Sequence, residues 1–163
     1  MNKLVLLDRD GVINKEIGDY VTNVSDFELL PHALYNTKKL KDAGFGIVVV
    51  TNQGGIAKGK YSHTELDAIH NKMITAFEQV GVQLDEVYYC PHHPEKTHCL
   101  CRKPDSIMLE KALARFGVSA ANTFLIGDAD RDIEAATKIG IKAFKITTNE
   151  NWEKYVDEIL AAR

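Results

Sequence analysis

A chain of 163 residues lies in the range of a single domain and is long enough to bury a core without needing disulfides or a metal to fold. With 45% hydrophobic and 26% charged residues, it is excluded from the disordered, collagen-like and membrane-embedded classes. Twenty Lys and Arg against 23 Asp and Glu give a net charge of -3, so no cationic surplus exists to neutralise a nucleic-acid backbone.

The first apolar run, Leu4 to Leu7, is cut off by Asp8-Arg9-Asp10. It is too short for a signal-peptide core or a membrane span, which leads us to expect a cytoplasmic protein without a membrane partner. From there, apolar runs of strand length alternate with segments of helical period. A first strand is predicted over Lys3–Asp8, followed by an irregular stretch at 14–30 and a helix over His32–Ala43. The second strand, Gly46–Thr51, leads to a helix over Thr64–Gln79, and the third, Glu86–Cys90, to an irregular stretch at 90–104 and a helix over Ser106–Phe116. Strands at Thr123–Gly127 and Ala143–Ile146 and helices at Asp132–Ile139 and Asn151–Ala161 complete the series. Ser62 and Glu65 have capping-box spacing, and Gly44, Gly81, Gly117 and Gly140 each follow a helical stretch as C-cap residues. Right-handed crossovers assemble such units into a doubly wound, Rossmann-like parallel sheet with helices on both faces. Near-continuous apolarity predicts strands covered on both sides. Neither 14–30 nor the segment after the second strand is large enough for a separate cap domain, so one domain over 1–163 is expected, with an open crevice.

In this fold, ligands bind beyond the carboxyl ends of the strands. The first strand ends in Asp8-Arg9-Asp10-Gly11, where one carboxylate has the place of a nucleophile and the other that of an acid and base. The second ends in Thr51-Asn52-Gln53-Gly54-Gly55, a hydroxyl and two amides suited to phosphoryl oxygens. The fourth ends in Gly127-Asp128-Ala129-Asp130-Arg131-Asp132, hard oxygen donors that suit Mg²⁺. Taken alone, each reads equally as a strand-end turn, and Asp130 and Asp132 equally as first-turn helix residues.

Occurring in this order, DRDG at 8–11, Thr51, Lys103 and GDADRD at 127–132 resemble the four motifs of the haloacid dehalogenase-like phosphatase superfamily, over nearly the whole chain. The resemblance implies Asp8 as nucleophile and Asp10 as acid then base. It places Thr51 and Asn52 on the phosphoryl oxygens and has Lys103 balance their charge. Mg²⁺ would be held by Asp8, the backbone carbonyl of Asp10, and Asp128, with Asp132 in support.

All three cysteines and three of the six histidines fall between Cys90 and Cys101. Without a secretory signal they are expected to stay reduced, as free thiols or metal ligands. Cys90-x-His92 and Cys99-x-Cys101 each place two ligands on one side of an extended backbone, and two such pairs close a tetrahedron. Cys₃His leaves no open position, so a structural Zn²⁺ is expected in a loop spanning 90–104. His93 and His98 are the alternative ligands. The loop would deliver Arg102 and Lys103 to the acidic crevice, Arg102 to hold a second anionic or hydroxylated part of the substrate.

CPHHP followed by CxCRKP resembles the zinc-bearing branch of the superfamily, which contains D-glycero-D-manno-heptose 1,7-bisphosphate 7-phosphatases and histidinol-phosphate phosphatases. Gly18-Asp19-Tyr20-Val21, TNQGGIAKGKY at 51–61 and the doubled histidine are similar to the heptose enzymes. The six residues between His92 and Cys99 lean toward the histidinol enzymes, and Ala129 stands where heptose phosphatases carry a basic residue. The resemblance therefore implies a small phosphorylated substrate, a sugar bisphosphate first, hydrolysed through an aspartyl-phosphate by a monomer. In another class, a receiver-type phosphoacceptor has acidic residues, a Thr and a Lys at strand ends, but its acidic pair and phosphoacceptor lie on different strands.

Overall fold

The computed structural model describes residues 1–162. Five strands, β1 (Leu4–Leu7), β2 (Gly46–Asn52), β3 (Glu86–Cys90), β4 (Thr123–Gly127) and β5 (Lys142–Lys145), form one parallel sheet in the order β3-β2-β1-β4-β5. The helices are α1 (Pro31–Asp42), α2 (His63–Gln79), α3 (Ile107–Phe116), α4 (Asp130–Lys138) and α5 (Glu153–Ala161), with a short 3₁₀ turn at Ala120–Asn122. The fold class is the expected doubly wound one, and in this order the chain winds outward from β1 to β3 and then restarts on the other side of β1.

Side chains alternate across each central strand, and this period of two divides the core into two layers. Val5, Leu7, Ile47 and Val49 pack with Leu40 of α1, Ile69, Met73 and Phe77 of α2, and Val156 and Ile159 of α5. Leu4, Leu6, Val48 and Val50 face the other way, onto Met108, Leu109 and Ala112 of α3 and Ala135 and Ala136 of α4. β1 is fully buried, as its unbroken apolarity predicts. The edge strands depart from that expectation. β3 is only partly buried until Cys90, and β5 exposes both of its lysines, because each pairs on one side only.

Helix starts fall within two residues of the sequence reading. Ser62 Oγ accepts from Glu65 N–H at 3.2 Å and Glu65 Oε2 accepts from Ser62 N–H at 2.7 Å, which is the predicted capping box. The 14–30 stretch is a loop pinned by isolated bridges from Asn14 to Asp10 and Leu29. Trp152, fully buried, donates from Nε1 to the Val12 carbonyl at 3.0 Å and so ties the segment entering α5 to the loop that follows β1.

Candidate active site

β1 delivers Asp8 to the sheet's carboxyl edge, where its N–H extends the ladder to the Ile126 carbonyl at 3.0 Å. The Asp8 side chain is buried against Lys103, whose Nζ lies 2.9 Å from Asp8 Oδ1, 2.6 Å from Asp132 Oδ1 and 2.7 Å from the Val50 carbonyl. Lys103 is 1% exposed. Burial would favour its neutral form, but Asp8 and Asp132 outweigh that and raise its pKa. Asp132 Oδ2 accepts from the Ala129 N–H at 3.1 Å, capping α4, while its buried Oδ1 pairs with the Lys103 ammonium.

Asp8, Asp128 and Asp132 each offer a carboxylate oxygen, all within 4.8 Å of one another. Three carboxylates against one ammonium leave an excess of two negative charges, which fits a hard divalent cation. Burial, with the Asp132 charge added, pushes Asp8 up to about 7 against the pull of Lys103, and burial likewise raises Asp128. Thr148 Oγ1 donates to Asp128 Oδ2 at 2.8 Å, orienting that carboxylate from beyond β5.

Asp10 stands in a different environment. Its Oδ1 accepts from Arg9 Nη2 at 2.8 Å and Asn14 Nδ2 at 3.0 Å, and its Oδ2 from Gln53 Nε2 at 2.9 Å. Burial alone would raise its pKa; the Arg9 charge and these three bonds prevail and hold it below the usual carboxylate value. Arg9 is itself buried, 5.8 Å from the Phe27 ring, with Nη1 3.3 Å from Nε2 of His70. Since guanidinium only donates, that nitrogen of His70 is the acceptor and the imidazole is neutral. Burial, reinforced by Arg9, lowers its pKa to about 3.

Thr51 is buried at the end of β2 and accepts from Gln53 Nε2 at 2.9 Å. Asn52 also faces the cleft, but its side chain holds the Lys103 peptide: Nδ2 donates to the Lys103 carbonyl and Oδ1 accepts the Lys103 N–H, both at 3.0 Å. This adds to the expected phosphoryl contact a second task, that of positioning the lysine.

Cys90, His92, Cys99 and Cys101 form the expected four-ligand group, with ligand atoms all within 4.8 Å. Sγ of Cys90 lies 2.9 Å from that of Cys101 and 3.6 Å from that of Cys99, and Nδ1 of His92 lies 3.2 Å from Cys101 Sγ. These are not disulfide lengths, and the soft, closed donor set fits Zn²⁺. His98 lies outside the group and His93 lines the cleft instead. The cleft, of about 360 Å³, runs from Asp10, Asn52 and Gln53 to Arg102 and Arg131 at its rim. Glu16 to Val21 and His93 supply walls, as expected of the two irregular stretches. Arg102 Nη1 donates to the His92 carbonyl at 3.2 Å, which links it to the cysteine loop. Asp130 is 92% exposed and pairs with Lys145, the bland helix-start role.

The strand-end reading took Gln53 only as an amide suited to phosphoryl oxygens and did not single out Arg9, Asn14, Tyr61, His70 or Thr148. Arg9 and Tyr61 lie inside segments already quoted, 8–11 and 51–61, and for Arg9 a charge within an apolar-flanked turn was the available signal. His70 and Thr148 have none, because their partners lie 61 and 20 residues away.

A doubly wound sheet with paired carboxylates after β1, a hydroxyl after β2, a buried lysine and an acidic turn after β4 defines a haloacid dehalogenase-type hydrolase. The HAD-hydrolase-like family model matches residues 100–159. A D-glycero-alpha-D-manno-heptose-1,7-bisphosphate 7-phosphatase of Photorhabdus laumondii is 35% identical, over 90% of this chain and 83% of its own length. The D-glycero-beta-D-manno-heptose-1,7-bisphosphate 7-phosphatase of Escherichia coli K12 is 36% identical, over 90% and 82%. Among solved structures, the heptose bisphosphate phosphatase of Bordetella bronchiseptica, complexed with magnesium and phosphate, superposes with a TM-score of 0.86 at 35% identity, covering 96% of this chain and 86% of that one. The chain belongs to the haloacid dehalogenase-like phosphatases, on the side of the family occupied by these heptose bisphosphate enzymes.

Proposed function

We propose that the protein hydrolyses the 7-phosphate of D-glycero-D-manno-heptose 1,7-bisphosphate, with Asp8 as nucleophile and Asp10 as acid and base. The observation that carries the chemistry is the buried Asp8 carboxylate, fixed by Lys103 and grouped with Asp128 and Asp132, with Asp10 two residues further on. The relatives' printed activities and the cationic rim formed by Arg102 and Arg131 support a bisphosphate.

Asp8 attacks phosphorus, and the bond to the C7 oxygen breaks as Asp10 protonates that oxygen. Both lone pairs of Asp10 Oδ1 are taken by Arg9 and Asn14, so the proton is exchanged at Oδ2. In the second step Asp10 takes a proton from water, which attacks the aspartyl-phosphate, releases phosphate and regenerates Asp8. The lowered pKa of Asp10 keeps it ionised and so able to accept the proton, and an arriving phosphate dianion opposes Arg9 and raises that pKa toward the protonated form needed first. Thr51 and Asn52 hold the phosphoryl oxygens, Lys103 balances their charge, and Arg102 takes the second anionic group. Asp8, the Asp10 carbonyl and Asp128 would hold Mg²⁺, which supplies positive charge against the phosphoryl oxygens when bound. Cys90, His92, Cys99 and Cys101 would hold a structural Zn²⁺ that fixes the loop bearing Arg102 and Lys103.

The test is phosphate release with Mg²⁺ from the heptose bisphosphate and from histidinol phosphate side by side, with Asp8→Asn as the blank. The bisphosphate is expected to win in kcat/KM by about a hundredfold or more, since an unpaired cationic rim rejects a substrate lacking the second anion. The reverse order would move the assignment to the histidinol enzymes, as the short His92–Cys99 spacing favours. A stable aspartyl-phosphate without release would make the chain a phosphoacceptor.

A further inference from the structure

We infer that Tyr61 and Gln53 form a positioning pair that fixes the direction of the hydrogen bonds reaching Asp10 and Thr51, Tyr61 acting on the reaction without touching substrate. The inference rests on the phosphatase reading for its consequence and on geometry for its substance.

Gln53 is 3% exposed, and its Nε2 lies 2.9 Å from both Asp10 Oδ2 and Thr51 Oγ1. One amide group thereby joins the end of β2 to the loop after β1. The oxygen and nitrogen of an amide occupy nearly the same space, so packing alone does not select which of them faces Asp10. A half-turn of the side chain would aim the carbonyl at the Asp10 carboxylate, setting lone pairs against lone pairs. The Asp10 carboxylate, which only accepts, selects the amide orientation, and Tyr61 secures it by donating its hydroxyl to Gln53 Oε1 at 2.5 Å, which gives that buried oxygen its partner. Burial raises the pKa of that phenol, so it stays a donor.

Tyr61 is itself locked. It is 5% exposed, its ring centroid lies 6.3 Å from that of Tyr20, and it packs so close to Gly55 that a Cβ there would come within 2.3 Å of its Cε1. The consequence falls on Thr51. Its oxygen accepts from Gln53, which frees its own hydrogen to donate, and the nearest protein acceptor, the Asn52 carbonyl, is 3.5 Å away, at the limit of a bond. That hydrogen is therefore available to a phosphoryl oxygen. Hydrogen-bond polarity runs in one direction, from Tyr61 through Gln53 to Thr51, and Gln53 holds Asp10 with its other proton.

Tyr61→Phe keeps the ring and removes the donor. It is expected to lower kcat about five- to tenfold, the worth of one neutral hydrogen bond, with KM nearly unchanged and Tm lowered by a few degrees, because the buried Gln53 Oε1 loses its donor. Gln53→Glu, which places a carboxylate oxygen against Asp10, is expected to lower kcat on the order of a hundredfold. In the Gln53→Ala background, Tyr61→Phe is expected to have no further effect, since its target is gone. An unchanged kcat in Tyr61→Phe, or the same fall in both backgrounds, would overturn the inference. A readout without turnover keeps the two readings separate: the Gln53 side-chain amide protons, followed by NMR, should exchange slowly with solvent in the wild type and faster in Tyr61→Phe. If the wild type releases no phosphate from any substrate, the proposed function fails while this comparison still decides the pair, and equal exchange rates would overturn it.

Discussion

A Cβ added at Gly11 would stand 2.2 Å from Oδ2 of Asp128 and 3.1 Å from Cγ2 of Thr148, and φ there is +81°. Gly11→Ala therefore carries left-handed strain, costing roughly 1–2 kcal/mol, and also drives a carboxylate out of the acidic group. We expect a modest fall in Tm together with a loss of Mg²⁺-dependent phosphatase activity on the order of a hundredfold or more. A variant with the same loss of stability but intact activity would show that Asp128 can yield without consequence. The turn at DRDG was legible in the sequence, since Asp and Gly after an apolar run announce one. That its inner side is lined by Asp128, 117 residues after Gly11 and just beyond β4, was not, because no local pattern encodes which strand ends become neighbours. Asp132 illustrates the same point: its place in the first turn of α4 was predictable, whereas its 2.6 Å contact with Lys103 needed the sheet.

Among the elements, the loop between β3 and α3 joins the cysteine group to Lys103. Cys90 ends β3, Cys101 lies two residues before Lys103, and Asn52 clasps the Lys103 peptide from β2. Loss of the metal should therefore be felt at Asp8. Cys99→Ser is expected to bring bound zinc below one equivalent, lower Tm by several degrees and reduce kcat/KM by about tenfold or more, even with Mg²⁺ in excess. If elemental analysis finds no zinc in the wild type, or the zinc-depleted variant matches the wild type in Tm and kcat/KM, the loop does not depend on metal. The ligand phase was readable because spacing of two in extended backbone puts Cys90 with His92 and Cys99 with Cys101 on matching sides. Helix ends were readable for a similarly local reason: Gly44, Gly81, Gly117 and Gly140 all adopt positive φ just after a helix, a conformation that side chains oppose. The exposed β5, with lysines at both ends, was less readable, because edge position is a property of the sheet and not of the strand.

For the whole molecule, stability against acid should report the buried His70. Its pKa in the fold, about 3, lies below its ordinary value of 6.5, so the neutral form contributes stability that is present above pH 6.5 and is lost as pH falls through this window toward 3. By this linkage, unfolding by urea should show the wild type losing about 1–2 kcal/mol more than His70→Gln between pH 7 and pH 5. Equal losses would mean that His70 is protonated in the folded protein and that Arg9 is held by something else. The sequence by itself determined the alternation of strands and helices, the helix ends, the ligand spacing of the cysteine loop and the identity of the groups that cluster at strand ends. It did so because each depends on backbone geometry over a few residues. Only the tertiary structure decided the strand order, which buries β1 and exposes β5, and the pairing of distant groups: Lys103 with Asp8 and Asp132, Arg9 with His70, and Gln53 with both Asp10 and Thr51. Those contacts arise where crossovers bring strand ends side by side, and in a buried site of low dielectric they set which carboxylate is held ionised and which hydroxyl is left to donate.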